Sequence, residues 1–179
     1  KNQQALNIAA DLTQTEINIE KSRILGGELE ISIRPADGFR FNVGAGFLDS
    51  KIQKGIVSGV SITGNRLPNA PETSLTAGVD WDVFAGDAGR LTASVNGSLT
   101  GRQYFDLFNV DRLSQRSYGL VNGQLTFRSR NDRFGVELWG KNLFDKYYFR
   151  YSIDLQTFGL DYFRLGAPRT FGVSLDAKF

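Results

Sequence analysis

The chain has 179 residues, of which 21 are basic and 19 acidic, so it is long enough for one domain and too evenly charged for a nucleic-acid partner. It contains no His and no Cys, which removes the commonest general base, the commonest transition-metal ligand and any disulfide framework. We therefore expect neither an enzyme nor a bound metal or other cofactor.

The first 25 residues are the least informative part of the chain. They carry a weak alternation at Ile17 and Ile19, which is compatible with a loop or with a partial strand. The amino-terminal segment lacks the apolar stretch of a signal peptide, so we expect that a signal has been removed or that this is an internal start. No run of about 18 apolar residues occurs, and the sequence predicts no transmembrane helix.

Seven later segments alternate apolar and polar residues with the period of two that a β-strand requires. They are residues 29–33, 39–47, 75–83, 91–99, 121–127, 134–138 and 171–179. Tight turns near residues 37, 87 and 131 connect some of them, and longer connections at about 49–72, 103–115 and 144–165 connect the others. This layout predicts an all-β fold, the antiparallel up-and-down wall of a transmembrane β-barrel with about seven or eight strands.

The periodicity alone does not say which face of such a sheet points inward. A small soluble barrel, which fills its interior with apolar side chains, has the same alternation. Strand length and aromatic residues near strand ends, as in an interfacial girdle, favour the membrane barrel. The girdle residues are Tyr104, Phe105, Tyr147 and Tyr148. The expected lumen residues are Asp80, Asp82, Arg128, Glu137, Lys141, Ser174, Asp176 and Lys178, with Phe171, Val173, Leu175 and Phe179 facing lipid.

Four stretches resemble the carboxy-terminal half of the barrel of TonB-dependent outer-membrane receptors. The strongest is Val136–Tyr147, in which Asn142, Leu143, Phe144 and Asp145 follow a strand. The second is Gly166–Phe171, where Pro168, Arg169 and Thr170 are similar to the family's lead into the last strand. Leu67–Glu72 is similar to its lead from an outer loop into a descending strand, and Gly27–Glu30 is a weaker match.

The resemblance implies transport across the outer membrane of a Gram-negative bacterium. The ligand would be scarce and large, commonly a ferric siderophore, and energy would come through TonB. The resemblance also implies contacts with membrane lipid and, through Phe179 in the carboxy-terminal strand, with the barrel-assembly machinery.

The length of the chain departs from this family. Such receptors have about 22 strands and a plugged lumen, whereas this chain has room for about seven or eight strands. We therefore expect residues 1–179 to be the carboxy-terminal portion of a receptor barrel, without its plug domain and TonB box. A free-standing eight-strand outer-membrane barrel with a structural or binding role, and a soluble ligand-binding β-barrel, remain alternatives.

The long connections hold the residues that we expect to contact a ligand, because rings offer stacking area and Arg pairs with an anionic chelate. These are Tyr104, Phe105, Phe108, Tyr147, Tyr148, Arg150 and Tyr151; ordinary outer loops with an interfacial girdle are the alternative. Asn142 and Asp145 are expected to cap a turn and to anchor a loop. Arg169, after Pro168, is expected to make a lumen ion pair or to fix the start of the last strand.

Overall fold

The chain folds almost entirely into β-strands. The computed structural model describes residues 3–8 and 14–178. The strands are β1 (Gln3–Ile8), β2 (Gln14–Ile19), β3 (Lys21–Ala36), β4 (Phe39–Lys54), β5 (Ile56–Val57), β6 (Val60–Ser61), β7 (Thr73–Gly86), β8 (Gly89–Thr100), β9 (Gln103–Tyr104), β10 (Ser114–Gln115), β11 (Tyr118–Ser129), β12 (Phe134–Lys141), β13 (Phe149–Leu155), β14 (Leu160–Leu165) and β15 (Thr170–Ala177). Two 3-10 helices cover Asp111–Leu113 and Gln156–Phe158. Neither they nor any other described segment form a helix that is long and apolar enough to cross a membrane.

Seven of these strands form one antiparallel sheet in the order β3, β4, β7, β8, β11, β12, β15. Each strand therefore pairs with the next wall strand along the chain, which confirms the predicted up-and-down wall. Within the described residues β3 and β15 are the two edges, and the sheet does not close on itself. Left-handed residues at Gly38 (φ 71°) and Asp132 (φ 54°) lie in two of the predicted tight turns.

The register brings the apolar positions of neighbouring strands side by side. One row runs Phe39, Trp81, Ala93, Leu125, Leu138, Val173 across six strands. The next row runs Arg40, Asp80, Ser94, Gln124, Trp139, Gly172. Because side chains alternate between the two faces of a strand, the sheet has one apolar face, defined by the first row, and one polar face, defined by the second.

The apolar face of the sheet is exposed rather than packed. On β15, Phe171, Val173 and Leu175 are 66%, 62% and 78% exposed. A soluble barrel would pack this face inside, and in the part of the chain that the structure describes it lies open. The structure therefore gives no support to the soluble alternative.

The polar face carries the residues that were predicted to line a lumen. Asp80 accepts a hydrogen bond from Ser94 Oγ at 2.6 Å, and Asp82 accepts one from Thr92 Oγ1 at 2.7 Å. At the tight-turn end, Arg128 lies 3.1 Å from Asp176, and Lys178 lies 2.8 Å from Asp132. Lys141 lies over the ring of its neighbour Trp139, 5.4 Å from the centroid. Small hydroxyl and amide groups fill much of the remaining face.

Residues 14–25, for which the sequence left a loop and a partial strand open, are occupied by β2 and the start of β3. Two parts of the prediction need correction. The connections at 49–72 and 144–165 are not plain loops, because the first contains the end of β4 and the β5–β6 pair and the second contains the β13–β14 hairpin. Each added pair joins strands close in sequence, and local pairing of this kind costs little chain entropy. Phe179 lies outside the described residues.

A close approach between strands on the polar face gives a test of this register. A Cβ atom at Gly172 would lie 2.2 Å from Trp139 Cζ2 on the paired strand. Gly172→Ala should therefore displace the indole ring and lower the free energy of unfolding by about 1–3 kcal/mol. Gly27→Ala is the matched control, because nothing lies within 4 Å of a Cβ there. Urea unfolding in detergent micelles measures both, and equal losses would contradict the register.

Candidate functional site

The three long connections lie at one end of the sheet, the long-loop end, where β4, β8 and β12 finish. We call them the first loop (residues 55–72), the second loop (101–117) and the third loop (142–169). The candidate ligand residues fall in the second and third loops. The contacts between these loops decide which of those residues remain accessible.

The first and second loops form one packed body with a small apolar core. The first loop contributes Val57, Ile62 and Leu67, the second loop contributes Leu107, and Ile19 of β2 and Ile52 of β4 complete the core; all six are at most 6% exposed. Reciprocal bonds join the loops: the Arg66 backbone N–H donates to Asn109 Oδ1 at 2.7 Å, and Asn109 Nδ2 donates to the Arg66 carbonyl at 3.0 Å. Asn65 Nδ2 adds a bond to the Leu107 carbonyl at 2.8 Å. The loop core thus gives these connections a fixed shape.

The third loop folds as the β13–β14 hairpin and docks on the second loop through polar contacts. Arg112 reaches across to both members of a cross-strand pair, Asp154 at 2.5 Å and Asp161 at 3.2 Å. The hydrogen bond from the Arg112 guanidinium lowers the pKa of the Asp154 carboxyl. Ser152 Oγ donates to the Leu113 carbonyl at 3.3 Å. One guanidinium therefore balances two carboxylates at this junction.

Asp106, in the second loop, differs from Asp154 because its pKa is raised rather than lowered. Asp106 is partly buried, and its Oδ2 atom has no hydrogen-bond partner in the described residues. Burial raises the pKa of the Asp106 carboxyl, and backbone N–H groups led by that of Val110 offset part of this rise. Sequence reasoning missed Asp106 and Arg112, because only their contacts with residues distant in the chain distinguish them.

The ligand residues predicted from the sequence divide into exposed and covered groups. Tyr147 is 66% exposed, Phe108 is 37% exposed, and Arg150 is also exposed. The structure leaves these three side chains accessible, and their contact with a ligand stays a prediction.

The remaining candidates are engaged in contacts within the loops. Phe105 is 6% exposed and its ring centroid lies 6.5 Å from that of Tyr151, so its interpretation as an interfacial girdle residue is wrong. Tyr148 stacks on Tyr118 with centroids 4.6 Å apart. Tyr104 lies under the Arg102 guanidinium at 4.9 Å and donates from its hydroxyl to Asp111 at 3.3 Å. The Phe105–Tyr151 contact thus joins the second loop to the third, the Tyr148–Tyr118 stack joins the third loop to the start of β11, and Tyr104 makes its contacts within the second loop.

Asn142 is the most fully bonded polar side chain of the third loop. It is 4% exposed. Its Nδ2 donates to the carbonyls of Lys146 and Ala167, both at 3.0 Å, and its Oδ1 accepts from the Lys146 backbone N–H at 2.8 Å. Its backbone is left-handed, with φ 50°, a conformation that Asn tolerates better than most residues. Asn142 thus joins the end of β12 to both ends of the third loop.

Leu143 lies on the apolar face, in a notch made by two glycines. Gly123 and Gly140 are cross-strand partners. A Cβ atom at Gly140 would lie 2.6 Å from Leu143 Cδ2, and one at Gly123 would lie 3.5 Å from Leu143 Cδ1. Phe144, the next residue, is 78% exposed. The side chain of Leu143 therefore fills the space that the two glycines leave.

Two roles were predicted for Arg169, a lumen ion pair or fixing the start of the last strand, and within the described residues it forms no ion pair, while its backbone bond just before β15 is compatible with the second role. Its guanidinium lies 5.9 Å from the centre of the ring of Phe171, a residue of the apolar face. Its backbone N–H donates to Asp145 Oδ1 at 2.9 Å, a contact just before β15 starts. Thr170 then opens β15, opposite Lys141, and Pro168, before Arg169, is exposed.

The bonds of Asn142 predict a large cost for losing its side chain. Asn142→Gly keeps the left-handed backbone accessible but removes three hydrogen bonds, so the free energy of unfolding should fall by about 2–4 kcal/mol. Asn69→Gly is the matched control: Asn69 is also left-handed (φ 56°) but exposed, and its loss should stay within about 0.5 kcal/mol. Urea unfolding in micelles compares them, and similar losses would contradict the anchoring role.

Comparisons with known proteins agree with this architecture. The family model described as TonB dependent receptor-like, beta-barrel matches residues 1–143. The ferric-pyoverdine M114 receptor PbuA of Pseudomonas sp. (strain M114) is 30% identical over 172 residues, which are 91% of this chain and 19% of that receptor.

Two solved structures share the fold. The ferric yersiniabactin uptake receptor FyuA from Yersinia pestis superposes with a TM-score of 0.76 at 24% identity, over 88% of this chain and 24% of that one. The ferric preacinetobactin receptor BauA from Acinetobacter baumannii gives 0.70 at 24% identity, over 98% of this chain and 25% of that one. The chain thus spans about a fifth to a quarter of the length of these proteins.

Proposed function

Because the chain belongs to the TonB-dependent receptor-like β-barrel family, we propose that it forms part of the wall of an outer-membrane receptor that takes up a ferric siderophore. The carrying observation is the exposed apolar face, which runs in register across six strands of the sheet. The names of the similar proteins, receptors for ferric pyoverdine, yersiniabactin and preacinetobactin, support an iron chelate as the cargo.

In this proposal the apolar face contacts the lipid of a Gram-negative outer membrane and the polar face lines the lumen. The two unpaired edges, β3 and β15, would join further strands of the same wall. Unpaired strand edges in an isolated sheet favour aggregation, so a larger closed barrel accounts for both of them. The proposed partners are the plug domain, TonB and the barrel-assembly machinery.

The proposed ligand surface consists of the accessible loop residues Phe108, Tyr147 and Arg150. Their rings offer stacking area, and the Arg150 guanidinium offers hydrogen bonds to an anionic chelate. The packed body of the first and second loops, with the docked hairpin, would hold these side chains at the long-loop end. Pre-organised side chains of this kind lose less conformational entropy on binding.

Uptake of radiolabelled iron by cells expressing the intact receptor tests the function. We expect uptake with at least one of ferric pyoverdine, ferric yersiniabactin and ferric preacinetobactin, and Arg150→Ala should weaken binding of that chelate about tenfold. Arg130→Ala, at the opposite end of the sheet, is the control for the loss of one positive charge. Uptake no higher than in cells lacking the receptor, for every chelate tried, would refute the proposal.

The membrane orientation of β15 has its own test. Val173→Arg places a charge on the apolar face and should cost about 2–4 kcal/mol of folding free energy if the position lies near mid-membrane. Ser174→Arg, on the polar face of the same strand, should cost little. Denaturant titrations of folding into lipid vesicles measure both variants. Equal costs at the two positions would mean that the apolar face does not contact lipid.

A further inference from the structure

Arg169 is a cation at the border of the apolar face, and it has no anionic partner among residues 3–8 and 14–178. Its guanidinium lies 5.9 Å from the centre of the Phe171 ring, and Phe171 is 66% exposed. Within the described chain, the one hydrogen-bond acceptor of this guanidinium is the Leu143 carbonyl, at 3.4 Å. A guanidinium has five N–H donors, and because Arg169 is exposed, the other donors are open to a ligand outside the chain.

Several contacts restrict where this guanidinium can lie. The Asp145 carboxylate accepts the Arg169 backbone N–H at 2.9 Å, so that carboxylate fixes the main chain, while the side chain lies against Phe171. The Leu143 carbonyl accepts from Nη1 on the other side. Leu143 is itself packed against Gly140 of β12, and Phe171 lies in β15, so both groups next to the guanidinium are attached to the sheet.

Another arginine at the long-loop end forms an ion pair with a carboxylate. Arg23, in β3, forms an ion pair with Asp49 of β4. Arg169 has no such carboxylate among the described residues, although it borders the apolar face at the same end. A charge left unpaired beside apolar surface is unfavourable unless water or an anion reaches it.

We propose that Arg169 binds the anionic headgroup of a membrane lipid whose acyl chains lie along Phe171, Val173 and Leu175. The site needs an anion beside the guanidinium and apolar groups along the strand. An anionic lipid supplies both, because its phosphate accepts from the N–H donors and its acyl chains contact the apolar face. This inference rests on the proposed membrane position of the sheet. It adds a defined lipid contact that the transport function does not by itself require.

Native mass spectrometry of the intact receptor, extracted from bilayers of phosphatidylcholine mixed with phosphatidylglycerol, tests the proposal. We expect Arg169→Gln to retain about tenfold less phosphatidylglycerol than the wild type. Arg169→Lys keeps the charge but loses the bidentate geometry, so its retention should be intermediate. Arg116→Gln is the matched control. Arg116 is exposed and lies at the same end of the sheet, just before β11, and its side chain forms no hydrogen bond with the described residues.

Three outcomes would overturn the proposal. The first is equal phosphatidylglycerol retention by Arg169→Gln and Arg116→Gln. The second is equal retention of phosphatidylcholine and phosphatidylglycerol by the wild type. The third is displacement of the lipid by inorganic phosphate at millimolar concentration, since this would identify a general anion site. None of these results would change the outcome of the uptake experiment, so the two proposals can fail independently. Normal folding of Arg169→Gln into bilayers would show that the substitution leaves the sheet intact.

Discussion

The shared register of the seven-stranded sheet is the constraint on which the other features of this chain depend. A shift of one residue in any pairing would exchange the two faces of the shifted strand. It would place Asp80 or Gln124 among apolar neighbours and Trp81 or Leu125 among polar ones. The observed register keeps the apolar row continuous from Phe39 to Val173. Both the proposed lipid contact and the direction in which the loops leave the sheet follow from it.

The two ends of the sheet are stabilised by different physics. At the tight-turn end the contacts are ion pairs between exposed groups, such as Arg128 with Asp176, and exposed pairs contribute little to stability. At the long-loop end an apolar core and partly buried hydrogen bonds between side chains and the backbone, such as those of Asn109 with Arg66, also hold the connections. The packed long-loop end suits a surface that must present side chains in fixed positions. The tight-turn end needs only to reverse the direction of the chain.

Much of the wall could be predicted from the sequence, because alternation and turn residues are local signals. The seven wall strands and the long connections were predicted in the right order. The β13–β14 hairpin also had a local signal, the alternation of Phe149, Tyr151, Ile153 and Leu155, but aromatic richness favoured a loop interpretation. The docking of that hairpin could not be predicted, since Arg112 meets Asp154 and Asp161 only in the folded chain. Accessibility of single rings, such as buried Phe105, likewise depends on tertiary packing.

The two segments that precede the last strand contain residues with different roles. Interpreted as a unit, the segments around Asn142 and Pro168 indicate only that a loop is anchored before the last strand. The structure separates the parts: Asn142 and Asp145 accept backbone N–H groups and fix the chain, and Leu143 fills the notch at Gly140. Those contacts satisfy the anchoring requirement without the guanidinium of Arg169. Its position over Phe171 therefore needs a separate cause, and the apolar face that it borders supplies one.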